Sequence, residues 1–423
     1  MQQDCQQQSH TLSSAVRSSA LPVTKEEEEE DEAEAEAEER SVQGSQEDAS
    51  MLSKSETHNI KKVLYHNEMM TYRPLGSTSL NVSIISLGGG AIGGLFGDIK
   101  NYPIDEILKE AFKNGINYID TGYWYGQSRS EEILGAALKK FPRSTYIIST
   151  KIGRFELDFS RSYDYRADAL LEQLSMSLKR LKLAYVDICY LQLRDSDFNI
   201  LAHTIFTESL EALRIAKVTG KTKYIGIAGY TLQNIVNVLE NSPIKIDIVM
   251  TYGRATLCDN SFGEYRQYFE SYGVGVVNGA PLSMGLLSDE GPKEWHPAPS
   301  VVLKKTSEAS SYCKSKGISL AKLAIEYATH FPGINTCLVG VSNKGQILQC
   351  IQIACSDGLT SNEERVRSRI LRRYFDKLNN ANWEGIDLHQ YWKRMESTDW
   401  NKTFKKHSRL QLAKQQCICT MYT

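Results

Sequence analysis

The chain has 423 residues, 41% of them hydrophobic and 24% charged, the make-up of a soluble globular protein with room for one large domain or two ordinary ones. A net charge of −2 with no basic stripe interleaved with aromatics argues against nucleic-acid binding. No run approaches the roughly 18 apolar residues of a membrane span and no apolar signal core opens the chain, so no membrane partner is expected. Nine cysteines scattered singly, an odd count, suggest reduced thiols in a cytoplasmic protein. Cys417-x-Cys419 is too small a cluster for a metal site, and none is expected.

Residues 1–70 are rich in Gln, Ser and Glu without sustained periodicity. Within them Lys25–Arg40 holds eleven acidic and two basic residues, a local charge of −9. Such a density of like charge repels itself and offers little to bury, which predicts a disordered acidic arm. Docking to a basic protein partner is its functional alternative. From Tyr72 onward, apolar runs alternate with turns. Strand-like segments fall at 82–87, 116–120, 146–150, 185–192, 223–228, 246–251, 274–277 and 336–340. Helix-length amphipathic stretches fill the intervals at 104–114, 130–140, 166–181, 206–217, 232–240, 261–271 and 302–329, with 344–354 after the last strand. The 302–329 interval should hold two helices divided at Gly317, with Ser319 capping the second.

Eight strands, each followed by a helix, predict parallel pairing and a closed (β/α)₈ TIM barrel over 71–395. Tyr72-Arg-Pro-Leu-Gly-Ser-Thr-Ser-Leu80 is expected as a hairpin plugging one end. Residues 361–378 read as an extra helix, acidic first and basic last in keeping with the helix dipole, and 396–423 as a basic flexible tail. Gly88-Gly-Gly90-Ala-Ile-Gly93 matches the dinucleotide fingerprint and would instead fit a doubly wound sheet. That fingerprint needs a helix opening at its glycines, yet Gly94, Gly97 and Pro103 intervene. In a barrel, the same glycines, Gly90 among them, would let backbone approach a ligand.

The chemistry concentrates at strand ends. Asp120 closes the second strand, Tyr125 follows on its loop, and Lys151 closes the third. An acid, a phenol and an ammonium there form one cluster, in which the ammonium is expected to lower the phenol pKa and the Asp to hold the Lys.

These motifs together resemble the aldo-keto reductases, and among them the L-galactose dehydrogenase-like branch. The resemblance runs from Tyr72 to about Trp392. It is carried by the Tyr72–Leu80 segment, Asp120-Thr-x-x-x-Tyr125-Gly, Ser149-x-Lys151, Ser177-Leu-Lys-Arg-Leu, Tyr185-Val-Asp-Ile, Ala280-Pro-Leu-x-Met-Gly-Leu-Leu and Leu338-Val-Gly-x-x-x-x-x-Gln346. It implies a barrel that binds NADP or NAD without a Rossmann domain and moves hydride between nicotinamide and a carbonyl or sugar-like alcohol. Tyr125 would be the general acid in reduction and the base in oxidation, tuned by Lys151. The family's fourth residue is a His at the end of the fourth strand. Here Gln192 or Arg194 takes that slot, and strand alternation puts both on one face. Either donates a hydrogen bond, but neither relays a proton at neutral pH. A nucleotide-binding regulator or scaffold with impaired catalysis is therefore the alternative.

Ala228 stands where many members grip the carboxamide, and Tyr252 would lie near the nicotinamide. Arg254 either faces substrate or forms a loop ion pair. The phosphates are expected on the loops after strands seven and eight, at Pro281, Leu282, Met284 and Gly285 and at Gly340, Ser342, Asn343, Lys344 and Gln346.

Overall fold

Two short strands, β1 (Tyr72–Pro74) and β2 (Asn81–Ser83), pair antiparallel across the Leu75–Leu80 turn. Leu75 and Val82 face inward from this hairpin and are fully buried. The structure, a computed structural model, describes residues 70–94, 96, 102–155 and 162–383. The expected acidic arm (Met70 apart) and basic tail lie outside the described residues.

Eight strands follow: β3 (Ile85–Gly88), β4 (Tyr118–Asp120), β5 (Ile147–Ile152), β6 (Val186–Gln192), β7 (Thr222–Gly229), β8 (Ile248–Tyr252), β9 (Gly275–Gly279) and β10 (Thr336–Val339). They close into one barrel in chain order, β10 pairing with β3, and every neighbouring pair is parallel. This is the (β/α)₈ architecture that the alternation predicted. One boundary differs. The run expected as a strand over 82–87 is two strands, because Ile84 turns the chain from the hairpin into the barrel. Among the described residues, no helix opens at the glycines after β3, and the next helix, α1 (Ile104–Lys113), starts beyond Pro103.

The helical layer comprises α2 (Arg129–Ala137), α3 (Ala167–Leu181), α4 (Phe198–Thr204), α5 (Leu210–Val218), α6 (Leu232–Asn241), α7 (Phe262–Ser271), α8 (Ser300–Ser315), α9 (Leu320–Thr329), α10 (Lys344–Ala354) and α11 (Ser361–Ile370). A π-turn at Ile205–Ser209 joins α4 to α5, so the helix expected at 206–217 begins earlier, at Phe198. Its first turns bury only Phe198, so no apolar stripe marks them in the sequence. Ser319 caps α9 by accepting from the Lys322 N–H. Thr360 and Glu363 form a reciprocal capping box on α11.

The main core lies between barrel and helices, built from Leu87, Ile119, Ile148 and Leu191 on the strands against Leu108, Leu134, Leu174 and Leu213. A second core fills the barrel, where Tyr118, Ile188, Tyr190, Ile248 and Met250 meet Leu75 and Val82. The hairpin thus closes the N-terminal end of the barrel, and only the C-terminal end stays open. At the contact, a Cβ on Gly76 would fall 2.1 Å from the Gly275 nitrogen, so only glycine allows so close an approach. Among the described residues, no helix is long and apolar enough to cross a membrane.

Leu75→Ala is expected to remove about 2–5 kcal/mol of stability by opening a cavity under the barrel floor. Urea unfolding monitored by circular dichroism measures it.

Candidate active site

Asp120 ends β4, and the β4–β5 register sets it opposite Ser149. Side chains repeat every two residues on a strand, so Ser149 and Lys151 share a face. Both reach Asp120. The Lys151 ammonium bonds the Asp120 carboxylate and donates to the Thr121 carbonyl at 3.0 Å. The Ser149 hydroxyl donates to the other carboxylate oxygen at 2.7 Å. Below them, the Tyr118 hydroxyl lies 2.9 Å from that of Ser149 and 3.2 Å from that of Tyr190. A ladder of hydroxyls therefore climbs the barrel axis and ends on the acid. Burial pushes the Asp120 carboxyl up, while Lys151 and Ser149 pull it back.

Tyr125 lies on the loop after β4, next to a run of left-handed residues, Gly126, Gln127 and Ser128. The glycines that mimic a dinucleotide fingerprint pack against this loop. A Cβ on Gly93 would sit 2.5 Å from the Tyr125 carbonyl carbon. At this position the close approach is between backbones, not between backbone and ligand. Gly90 itself lines the cavity.

The Lys151 ammonium stands 4.6 Å from the Tyr125 ring centroid while two of its N–H groups bond Asp120 and Thr121. The phenol accordingly departs from the sequence expectation. Burial first, then the charge on Asp120, pushes it well above its ordinary value, although a hydrogen bond from Tyr252 and the Arg154 charge oppose this. Tyr125 keeps its proton across ordinary pH.

Asp120, Trp124, Tyr125, Arg154, Gln192, Tyr230 and Tyr252 line one half of a cavity of about 350 Å³. Gln192 is the last residue of β6 and only 4% exposed. Its side-chain amide faces the cavity with no hydrogen-bond partner among the described residues. Arg194 does not line the cavity; it pairs with Asp197 at 2.8 Å. The strand stops at Gln192, so the alternation that would have aligned the two side chains does not continue. Asp195, just beyond, accepts the backbone N–H groups of Tyr230 at 2.9 Å and Thr231 at 3.3 Å. Tyr230 is thereby held for stacking on Tyr252, with ring centroids 4.8 Å apart.

The other half of the cavity lies along the loops after β9 and β10, with Pro281, Leu282, Met284, Gly285, Gly340, Ser342 and Gln346 on its wall. Ala280, Ser283, Met284 and Gly285 all have φ between 48° and 93°. Three left-handed non-glycine residues in one short loop mark stored strain, which concentrates at functional sites. Gln346 accepts from the Ser342 N–H at 2.7 Å, and Asn343 caps α10. Three expected contacts are not on this wall. Asn343 spends its side chain on the cap, and Lys344 pairs with Glu110 at 2.9 Å. Ala228 is fully buried in the barrel interior, its short side chain below the cavity floor. Arg254 takes the ion-pair role, with Asp259 at 2.8 Å.

The sequence profile of the Aldo/keto reductase family matches residues 84–363. The chain belongs to the aldo/keto reductase family. It is similar to L-galactose dehydrogenase of Arabidopsis thaliana, 39% identical over 279 residues that cover 65% of this chain and 85% of that protein. It is also similar to D-arabinose 1-dehydrogenase of Saccharomyces cerevisiae, 30% identical over 322 residues, covering 72% and 93%. Among solved structures, the holo form of aldo-keto reductase AKR11C1 from Bacillus halodurans superposes with a TM-score of 0.58 at 26% identity, covering 71% of this chain and 96% of that one. This aldo/keto reductase is thus an oxidoreductase.

Several residues in and around the cavity carry little or no signal in the sequence. Arg154 follows Lys151 by three residues at the same strand end, a signal within reach. The Tyr118–Ser149 ladder and His296 gave none. His296 is 2% exposed on the loop that follows the strained segment. Its Nε2 donates to the Ser283 carbonyl at 2.8 Å, while Nδ1 accepts from the Ala298 N–H at 3.2 Å. Trp383 packs edge-on at 5.0 Å. These bonds require the neutral ring, and burial lowers its pKa below the usual 6.5. The unfolded chain then binds more protons than the folded one as pH falls below about 6.5, so stability is full above that value and is lost below it. Thermal melts between pH 7.5 and 5 should show this loss, and His296→Gln should remove part of it.

Proposed function

We propose that this protein is an NADP- or NAD-dependent oxidoreductase that interconverts a small carbonyl compound and a sugar-like alcohol. The reading rests on one observation: the unpartnered Gln192 amide and the protonated Tyr125 converge on the open end of the Asp120–Lys151 cluster. The residues fit a nicotinamide dinucleotide. The cavity runs on from the catalytic half to the strained 280–285 loop and to Gly340, Ser342 and the start of α10, a chemistry of backbone N–H groups and small residues suited to phosphate. The names of the sugar dehydrogenases similar to it support the substrate class.

Bound NADPH or NADH supplies the hydride that the carbonyl carbon accepts. Tyr125 gives its hydroxyl proton to the carbonyl oxygen in reduction and takes one back in oxidation. Lys151 steadies the phenolate that results, and Asp120 holds Lys151 in place. Gln192 donates from its amide to the substrate oxygen, replacing the imidazole of the family pattern without its ionisation. Arg194, tied to Asp197, has no direct part in the reaction. A regulator that has lost turnover rests on the missing imidazole and on the charged segments at either end of the chain; the cavity-facing Gln192 amide in that slot argues against it. The free thiols of the described cysteines suit a cytoplasmic setting.

Tyr125→Phe should lower kcat/KM by about 10²–10⁴-fold while nucleotide affinity, read by fluorescence titration, stays within a few fold. Similar rates in the two proteins would defeat the reading. Because Tyr125 titrates well above neutrality and Gln192 does not titrate, reductive kcat/KM should stay level from about pH 6.5 to 9. Gln192→His should introduce an ionisation near pH 6.5 into that profile.

A further inference from the structure

Resting on the redox reading above, the aromatic wall of the cavity carries a polar group that the hydride chemistry leaves idle. Tyr230 lies just beyond β7, half-buried, and lines the cavity with Tyr125, Gln192 and Tyr252. Its oxygen is close enough for the phenols of Tyr125, Tyr163 and Tyr252 to sense it electrostatically. Among the described residues, that hydroxyl has no hydrogen-bond partner, although a phenol can both donate and accept.

Backbone and ring of this residue are both fixed. The Tyr230 N–H donates to Asp195 at 2.9 Å, and its carbonyl accepts from Arg254 Nε at 2.9 Å. Asp195 is held in turn by the Thr231 N–H at 3.3 Å and the Asn234 amide at 3.0 Å, and Arg254 by Asp259 at 2.8 Å. The ring stacks on Tyr252 with centroids 4.8 Å apart. Trp124, over which the Arg154 guanidinium lies at 3.5 Å, belongs to the same half of the cavity. None of these contacts uses the phenolic oxygen, and a phenylalanine would fill the stack equally well. A hydroxyl placed so rigidly, with its hydrogen-bonding capacity unspent by the protein, is preorganised for a group that arrives from outside.

We propose that Tyr230 is a specificity-determining residue whose hydroxyl bonds the substrate hydroxyl on the carbon adjoining the reacting carbon, so that α-hydroxy carbonyl compounds and the corresponding sugars are selected over their deoxy analogues. The reacting oxygen is held between Tyr125 and Gln192. Tyr230 stands beside both, so its reach falls one carbon farther along the substrate. A site that bonds a substrate hydroxyl rejects the analogue lacking it, because the site's own polar group is then left unpaired once water has been displaced.

The test uses the full chain and matched pairs that differ only at that carbon. In reduction, with NADPH and with NADH, glyceraldehyde is set against 3-hydroxypropanal; in oxidation, with NADP and with NAD, each enantiomer of galactose is set against its 2-deoxy analogue. An adjoining hydroxyl also changes the reactivity of the carbonyl itself, so the quantity read is the kcat/KM ratio within a pair, compared between wild type and Tyr230→Phe. That ratio should fall about 10-fold or more in Tyr230→Phe, through loss on the hydroxylated member, while nucleotide affinity stays within a few fold. An equal loss on both members, or a loss of nucleotide affinity with the ratio unchanged, would overturn the proposal and leave Tyr230 a structural or nucleotide-holding role. Absence of turnover together with absence of nucleotide binding would instead count against the redox reading. In that case, or if thermal melts show that the variant does not fold, saturation-transfer NMR on the wild type decides. A stronger signal from galactose than from its 2-deoxy analogue supports the Tyr230 contact, and equal or absent signals overturn it.

Discussion

An ammonium and a carboxylate shut inside a barrel are held there at considerable cost. Removing each ion from water costs several kcal/mol, and the attraction between Lys151 and Asp120 offsets this only if their remaining hydrogen-bonding capacity is filled. It is filled from three directions: the Thr121 carbonyl on the ammonium, the Ser149 hydroxyl on the carboxylate, and Tyr118 and Tyr190 behind Ser149. Every one of these groups comes from β4, β5, β6 or the turn after β4. The pair is satisfied only in this register of neighbouring strands, and the same register brings Tyr125 and Gln192 to one cavity.

The loops around the pair repeat the same logic at lower stakes. The glycines after β3 give up their side chains so that the Tyr125 loop can lie directly on backbone. Asp195 spends its carboxylate on Tyr230 and Thr231 and so sets the aromatic wall opposite. Across the cavity, strained backbone at Ala280, Ser283 and Met284 is steadied by His296, against which Trp383 packs edge-on. Strain of this kind persists only where surrounding structure over-determines it.

The barrel was legible because strand and helix signals alternate through the chain in nearly fixed order. Capping chemistry was legible at Ser319, which acts within its own segment. The division of 82–87 was not, since both halves are apolar and only the turn at Ile84 separates them. By sequence alone, Lys151 reads as a charge acting on a phenol. In the folded chain the ammonium is committed to Asp120, and burial dominates the Tyr125 hydroxyl.

Local periodicity, glycine placement and the Asp120, Tyr125 and Lys151 spacing determined the barrel and the end at which its chemistry lies, because these depend on residues near one another in the chain. Between Gln192 and Arg194, alternation alone gave no choice. Tertiary structure separates them: β6 ends at Gln192, which lines the cavity, and Arg194 turns onto Asp197. The hydroxyl ladder, the His296 bonds and the stacking of Arg154 on Trp124 likewise join residues far apart in sequence or on separate loops. Their energies depend on distances and on exclusion of water, which no order of residues states until the barrel has closed.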